Sequence, residues 1–219
     1  SKGSAKSMKL FMFGKNKNKI QHIYNPYLTL DKIKASKKKK LKKNIILSVG
    51  RLCKQKNFED LIIAFSNLNK KNNKYILKII GQGSYKQKLS DLIRSKKMEK
   101  KIFLKGYLDN LDEEYKKSKL FILPSLYEGL GNVLIEALNF SLPCISTNCK
   151  SGPSEILCYG KGGYIVPVNN IRIMQKQMEV ILNDYPTAIK KADYGRSKLF
   201  RFNAAKQSFK YLKVLNSVL

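Results

Sequence analysis

Two glutamates carry the first suggestion of chemistry. The segment "SLYEGLGNVLIEALNFSLP", residues 125–143, holds Glu128 and Glu136 with seven residues between them, and Gly129 and Gly131 beside the first. Only 15 of the 219 residues are acidic, so two in one short segment call for an explanation. The preceding run "KLFILPS" has strand character and "GNVLIEALNFS" has helical spacing, which predicts a strand, a tight loop and a helix. The glycines permit φ > 0 and let a ligand approach with no Cβ in its way. A helix starting near Gly131 offers unpaired N–H groups and the positive end of its dipole, which suit a phosphate. Glu128 falls just before that start. Glu136 falls about one and a half turns in, beside the apolar stripe Val133, Leu134, Ala137 and Leu138. A carboxylate buried there needs donors. A ribose diol would supply two, and Glu128 could accept from sugar hydroxyls in the same way. Two plainer arrangements use the same residues: Glu128 as a helix cap, and Glu136 paired with a lysine on a solvated face.

The elements that must position this loop alternate from Asn44 onward. "NIILSVG", "YILKIIGQG", "KIFLKGY", "KLFILPS", "PCIST" and "GGYIVPV" are short apolar runs closing on glycine, serine or proline, and they predict strands. Between them lie helical patterns. In "NFEDLIIAFSNLNKK", Phe58, Leu61, Ile62 and Phe65 recur at i, i+3, i+4 and i+7. "SYKQKLSDLIRSKKM" follows with Ser84 as candidate N-cap, then "DNLDEEYKKS" capped by Asp109 or Asn110, and "NIRIMQKQMEVILND". Strands apolar on both faces and joined by helical crossovers imply an α/β fold, a doubly wound parallel Rossmann-like sheet. Ligands of such sheets bind beyond the carboxyl ends of the strands. The exits "VGRL", "IGQG", "KGY" and "EGLG" should therefore converge on one crevice.

Three regions follow. Residues 1–43 do not alternate: "SKGSAKSMKLFMFGKNKNKI" predicts a helix ending near Gly14, "QHIYNPYLTLDKI" an extended connector, and "KASKKKKLKKN" a lysine-rich solvated linker. Residues 44–185 form the Rossmann-like domain, and 186–219 a C-terminal helical segment.

The bulk composition narrows the partners. Lys and Arg total 44, giving a formal charge of +29. Such a balance favours an anionic partner: nucleic acid, an acidic membrane surface or a phosphorylated substrate. Lysines interleaved with asparagines, as in "KNKNK", equally match the bias of an A/T-rich genome on solvated faces. Arginine is scarce, and no zinc-finger spacing, RNP-like segment or helix-turn-helix occurs, so charge alone does not make this a nucleic-acid protein. No run of eighteen apolar residues spans a bilayer. Cys53, Cys144, Cys149 and Cys158 form no CxxC pair, and His22 is remote from them, which argues against a metal site. A Cys144–Cys149 disulfide and reduced thiols both remain open.

At this point the residues reach a family. "SLYEGLGNVLIEAL" resembles the E-x7-E signature of retaining GT-B glycosyltransferases (glycosyl transferases group 1, family 4), which use nucleotide-diphosphate sugars. "ILSVGRLCKQKNFEDLIIAF" resembles that family's strand, "GRL" turn and helix. "LKIIGQGSYKQKLSDLI" and "IFLKGYL" resemble its next two units, and "SGPSEILCYGKGGYIVPVNN" the segment closing its donor site. "KIQHIYNPYLTLDKI" is similar to its interdomain connector. The likeness runs in order from about residue 1 to 215.

The resemblance implies roles position by position. Arg51 and Lys56 would hold the donor's diphosphate and neutralise it as it leaves. Glu128 would contact the donor sugar and Glu136 the ribose. Gly129, Leu130, Gly131 and Asn132 would present backbone N–H groups to phosphate and sugar. Tyr107 would read the base edge with its backbone, while Gly50, Gly81 and Gly83 line the floor, with tight chain reversal an equal explanation for the last two. It implies no metal and no other cofactor, in keeping with the absence of an Asp-x-Asp motif. Configuration would be retained by same-face attack, with the departing phosphate as base and no covalent glutamate.

The family fold has two halves, and the residues match only the second. The resemblance therefore implies that an N-terminal, acceptor-binding domain is missing, and that these 219 residues bind donor but transfer nothing alone. The acceptor it implies is a glycan or polyprenyl-linked saccharide, at the inner face of the cytoplasmic membrane, with lysines available to anionic lipid. The exposed apolar residues 8 to 13 should promote association. A nucleotide-sugar-binding module without catalysis, and a basic nucleic-acid-binding protein, stand as the other classes.

Overall fold

The computed structural model describes residues 1–11, 22–35 and 42–217. Six strands form one parallel sheet: β1 (Ile45–Val49), β2 (Ile76–Ile80), β3 (Ile102–Lys105), β4 (Leu120–Leu123), β5 (Cys144–Thr147) and β6 (Tyr164–Val166). They lie in the order β3-β2-β1-β4-β5-β6, every neighbouring pair parallel. The first three strands wind outward one way and the last three the other, so the order reverses between β1 and β4. That is where a doubly wound sheet opens a crevice at its carboxyl edge. The predicted architecture holds.

Every residue of β1 and of β4 is buried, which is why both are apolar nearly throughout. Alternation divides them between two cores. Ile46, Leu120 and Ile122 face α3 (Phe58–Lys71), α4 (Lys86–Ser95) and α8 (Ile171–Asn183). Leu47, Val49, Phe121 and Leu123 face α5 (Asp112–Lys117), α6 (Asn132–Asn139), α7 (Pro153–Ile156) and α9 (Tyr185–Ser197). On α3, Leu61, Ile62 and Phe65 have no exposed surface, each contributing about 1.5–3 kcal/mol by its burial. Ser48 is tolerated inside because its hydroxyl donates to the Ile122 carbonyl at 2.6 Å.

Outside the sheet, α1 (Lys2–Phe11) and α2 (Leu30–Ala35) precede β1, and α10 (Ala204–Asn216) closes the described chain. The connector docks on the C-terminal segment: the N–H groups of Tyr27 and Leu28 both donate to the Phe202 carbonyl, and Ala204 donates to that of Leu28. Leu28 is 2% exposed, which anchors the connector in the second core.

Several local expectations need correction. The sequence pattern predicts an extended connector, yet its end forms α2, because Asp31 in the first turn and the stretch Leu30–Ala35 favour a helix. Ser84 is not the cap of α4: Tyr85 holds that position and no side chain caps it. Asn110 accepts from the Asp112 N–H at 2.8 Å, although Leu111 occupies the cap position of α5. Nothing in the sequence pattern predicts α7. The expected end of the first helix near Gly14, most of the lysine linker and the apolar residues beyond Phe11 lie outside the described residues. All four cysteines are free thiols, so Cys144 and Cys149 are not paired.

Candidate donor site

The loop leaving β1 and the loop leaving β4 are tied together across the crevice. Leu126 N–H donates to the Gln55 carbonyl at 2.8 Å, and the Gln55 side chain donates to the Tyr127 carbonyl at 2.8 Å. Between these ties, Lys56 Nζ meets Glu128 Oε1 at 2.5 Å. The two side chains are only 13% and 8% exposed. Gly50 makes this reach possible. A Cβ there would stand 3.0 Å from Lys56 Cε, so the lysine stem lies over the glycine on its way to the β4 loop.

Glu128 is held from a second side. Ser125 Oγ donates to the same Oε1 at 2.7 Å, while Thr147 Oγ1 on β5 donates to the Ser125 carbonyl at 2.5 Å. Oε2 accepts no hydrogen bond among the described residues. Glu128 does not cap α6: the cap position is Gly131, at φ 90°, where an L side chain would be strained. That left-handed turn lets the chain pass directly from loop into helix. Around Gly129 a Cβ would meet nothing within 4 Å, so space beside the loop is open. Leu130 is 9% exposed and packs inward. Asn132 begins α6 with its Oδ1 buried and without a partner among the described residues.

Other candidates fall differently. Arg51 is exposed, and its guanidinium forms no hydrogen bond or ion pair among the described residues, so it is not in contact with Glu128; only its carbonyl is engaged, accepting from the Cys53 N–H. Gly81 is explained by packing: a Cβ there would lie 2.0 Å from the Gly50 carbonyl oxygen. Gly83 is similarly pressed on the Leu52 backbone, so both glycines let the β2 exit lie against the β1 exit. Tyr107 is 65% exposed on the β3 exit, its ring free of the core.

Glu136 occupies a second cluster, beside a cleft of about 350 Å³ that also touches Leu28, Lys32, residues 109–112 and Phe140. Its side chain is 18% exposed. Tyr115 donates to Oε2 at 2.8 Å and Tyr27 donates to Oε1. Lys32 Nζ stands 3.7 Å from Oε1. Burial, then the adjacent carboxylate, pushes both tyrosine hydroxyls well above the usual phenol range, so they remain donors. The cleft of Glu136 does not include Lys56 or Glu128, so the two glutamates lie in separate clusters.

Sequence reasoning missed Tyr27, Lys32, Tyr115, Ser125 and Gln55. Tyr115 reads as an ordinary core residue of a short helix, and Tyr27 and Lys32 sit in a connector more than a hundred positions from their partner. Only Ser125, at the end of a strand and three residues before Glu128, gives a local signal.

Among the described residues no group of three or more His, Cys, Asp or Glu could hold a metal ion. No described helix is long and apolar enough to cross a membrane.

Comparison with known proteins agrees with this architecture. The family model of the glycosyl transferases group 1 matches residues 30–198, and the chain belongs to that family. It is 35% identical over 205 residues to the N-acetylgalactosamine-N,N'-diacetylbacillosaminyl-diphospho-undecaprenol 4-alpha-N-acetylgalactosaminyltransferase of Campylobacter jejuni, covering 91% of this chain and 55% of that one. It is 32% identical over 179 residues to a glycosyltransferase of Haemophilus influenzae, covering 82% and 50%. The fold superposes with a TM-score of 0.86 on a mutant form of TarM from Staphylococcus aureus, solved with fondaparinux, alpha-GlcNAc-glycerol and UDP. That match is 24% identical and covers 99% of this chain and 43% of TarM. The chain spans about half the length of these relatives.

Proposed function

We propose that these residues form the donor site of a retaining glycosyltransferase that moves a hexose or N-acetylhexosamine from a nucleotide-diphosphate sugar, a UDP-sugar, to a glycan or polyprenyl-linked acceptor. Bacterial surface polysaccharide, lipopolysaccharide or glycoprotein glycan is the product class. The observation that carries this reading is the Lys56–Glu128 contact at the point where the strand order reverses. The relatives named above, one acting on a diphospho-undecaprenol saccharide and one solved with UDP, support the donor and acceptor classes.

The chemistry follows from charge. The bond between the anomeric carbon and the diphosphate breaks with negative charge gathering on phosphate. Lys56 and Arg51 neutralise that charge, as a point charge and a fork. Lys56 is already poised by Glu128 and, once a diphosphate enters, can contact both. The N–H groups at Gly131 and Asn132 meet the phosphate, and Oε2 of Glu128 accepts from the sugar. The departing phosphate takes the acceptor's proton on the same face, so configuration is retained and neither glutamate bonds to the sugar. With two cations and a helix start at the phosphate, the reaction is assigned no metal and no other cofactor.

The acceptor site is assigned to a second, N-terminal Rossmann-like half, and transfer is expected only when both halves are present. The assembled enzyme would work at the inner face of the cytoplasmic membrane, drawn by lysine charge.

Isothermal titration with UDP, UDP-sugars and a DNA duplex tests this reading. UDP and a UDP-sugar should bind at one site, and the duplex should show only weak, salt-sensitive association. Duplex binding without nucleotide binding would overturn it.

A further inference from the structure

Glu136 is a carboxylate already half satisfied by its own protein. Tyr27 gives a hydroxyl to Oε1 and Tyr115 gives one to Oε2. A carboxylate offers about four lone-pair sites, two on each oxygen. Lys32 Nζ, 3.7 Å from Oε1, is an ion-pair neighbour beyond hydrogen-bond reach, so one tyrosine on each oxygen leaves one acceptor site on each. Two acceptors side by side on one carboxylate match two neighbouring hydroxyl donors, which is what a ribose cis-diol presents.

Both tyrosines are fixed independently of any ligand. The Tyr115 ring is 1% exposed and stacks on Phe140, with ring centres 5.7 Å apart and planes 15° from parallel. Tyr27 is held through its own N–H, which donates to the Phe202 carbonyl at 3.2 Å, and Lys32 Nζ lies 4.2 Å from its ring centre. The carboxylate is thus gripped from α5 on one side and from the connector on the other. Because both hydroxyls stay protonated, they act as donors to Glu136, which itself lines the cleft.

We propose that Tyr27 and Tyr115 are positioning residues that orient Glu136 for bidentate recognition of the donor's 2′,3′-diol. This rests on the assignment of Glu136 to the ribose. Tyr27 belongs to the connector, so ribose recognition is shared between the Rossmann-like domain and the segment leading into it. A Tyr27→Phe change keeps the ring and removes only the grip on the carboxylate.

The test compares UDP with 2′,3′-dideoxy-UDP on the 219-residue chain. Tyr27→Phe should weaken UDP about 5-fold, the loss of one hydrogen bond, and leave the dideoxy analogue unchanged. Tyr115→Phe should act in the same sense, and Tyr27→Phe keeps the test decisive should the Tyr115 variant fold poorly. Glu136→Ala should weaken UDP to the level of the dideoxy analogue. Equal weakening of both ligands by Tyr27→Phe, no weakening, or tighter UDP binding would each overturn the positioning role. A Glu136→Ala variant that still prefers UDP over the analogue would instead overturn the ribose assignment on which it stands.

Discussion

Lys56 and Glu128, 72 positions apart, meet at 2.5 Å with both side chains largely shut away from solvent. Nothing local forces this. The contact exists because β1 and β4 are neighbours at the point where the sheet changes direction, so that their exit loops share one crevice. It pins the two loops that the proposed chemistry needs and stores the lysine where a diphosphate would arrive.

That pair should be costly to break singly and cheap to replace whole. Lys56→Met leaves Glu128 with only Ser125 as donor, and should lower stability by about 3 kcal/mol. Lys56→Met with Glu128→Leu should recover most of that loss yet bind no UDP. Urea unfolding and nucleotide titration on the parent and the two variants separate the structural share from the functional one.

Phosphate charge should account for the β1 loop. Arg51→Ala and Lys56→Ala should each weaken UDP at least about 10-fold, as expected for a lost charge-assisted hydrogen bond, and leave uridine nearly unchanged. Equal losses for UDP and uridine would place these residues away from the diphosphate.

The packing of the β2 exit on the β1 exit makes Gly81 intolerant. Its φ is 145° and a Cβ would lie 2.0 Å from the Gly50 carbonyl, so Gly81→Ala must push backbone away from backbone. A loss of about 3 kcal/mol or more is expected in urea unfolding, beyond the usual range of surface changes. Gly129→Ala, with open space beside it, should cost under about 1 kcal/mol.

Lys42 gives stability a dependence on pH. Burial pulls its ammonium down to about 8, partly offset by Cys144, while the unfolded chain titrates at about 10.4. Between those values the unfolded state binds the extra proton, so this group's contribution to stability rises with pH across that window. Lys42→Met should therefore be more stable than the parent at pH 7 by on the order of 2 kcal/mol, and the margin should shrink as pH rises toward about 10.4. Chemical denaturation of the two proteins at several pH values across that window reads the difference directly.

How much of this is legible without the fold differs by feature. The six strands are readable because each is short, apolar and closed by a glycine, serine or proline, as in "NIILSVG" and "KLFILPS". Their parallel pairing follows from the helical stretches between them. Glu128, Gly131 and Lys56 are legible because strand exits mark the ligand edge of any such sheet. What cannot be read is partnership. Ser125 on Glu128, Gln55 bridging to Tyr127, and Tyr27 with Tyr115 on Glu136 are contacts across loops, where spacing carries no period. Gly81 and Gly83 are ambiguous for the same reason, since a glycine freed for a ligand and one pressed on a neighbouring strand look identical along the chain. α2 escapes a sequence reading because its few residues are too short a run to show a helical period.

A nitrogen–proton NMR titration of the 219-residue chain with UDP tests the central claim most directly. The shifts that saturate should fall on residues 50–56 and 128–136, the two loops joined by Lys56 and Glu128, and should vanish in a Lys56→Ala, Glu128→Ala variant. Shifts confined to other surfaces, or an unaltered response in that variant, would contradict a nucleotide-sugar cradle at the β1–β4 edge.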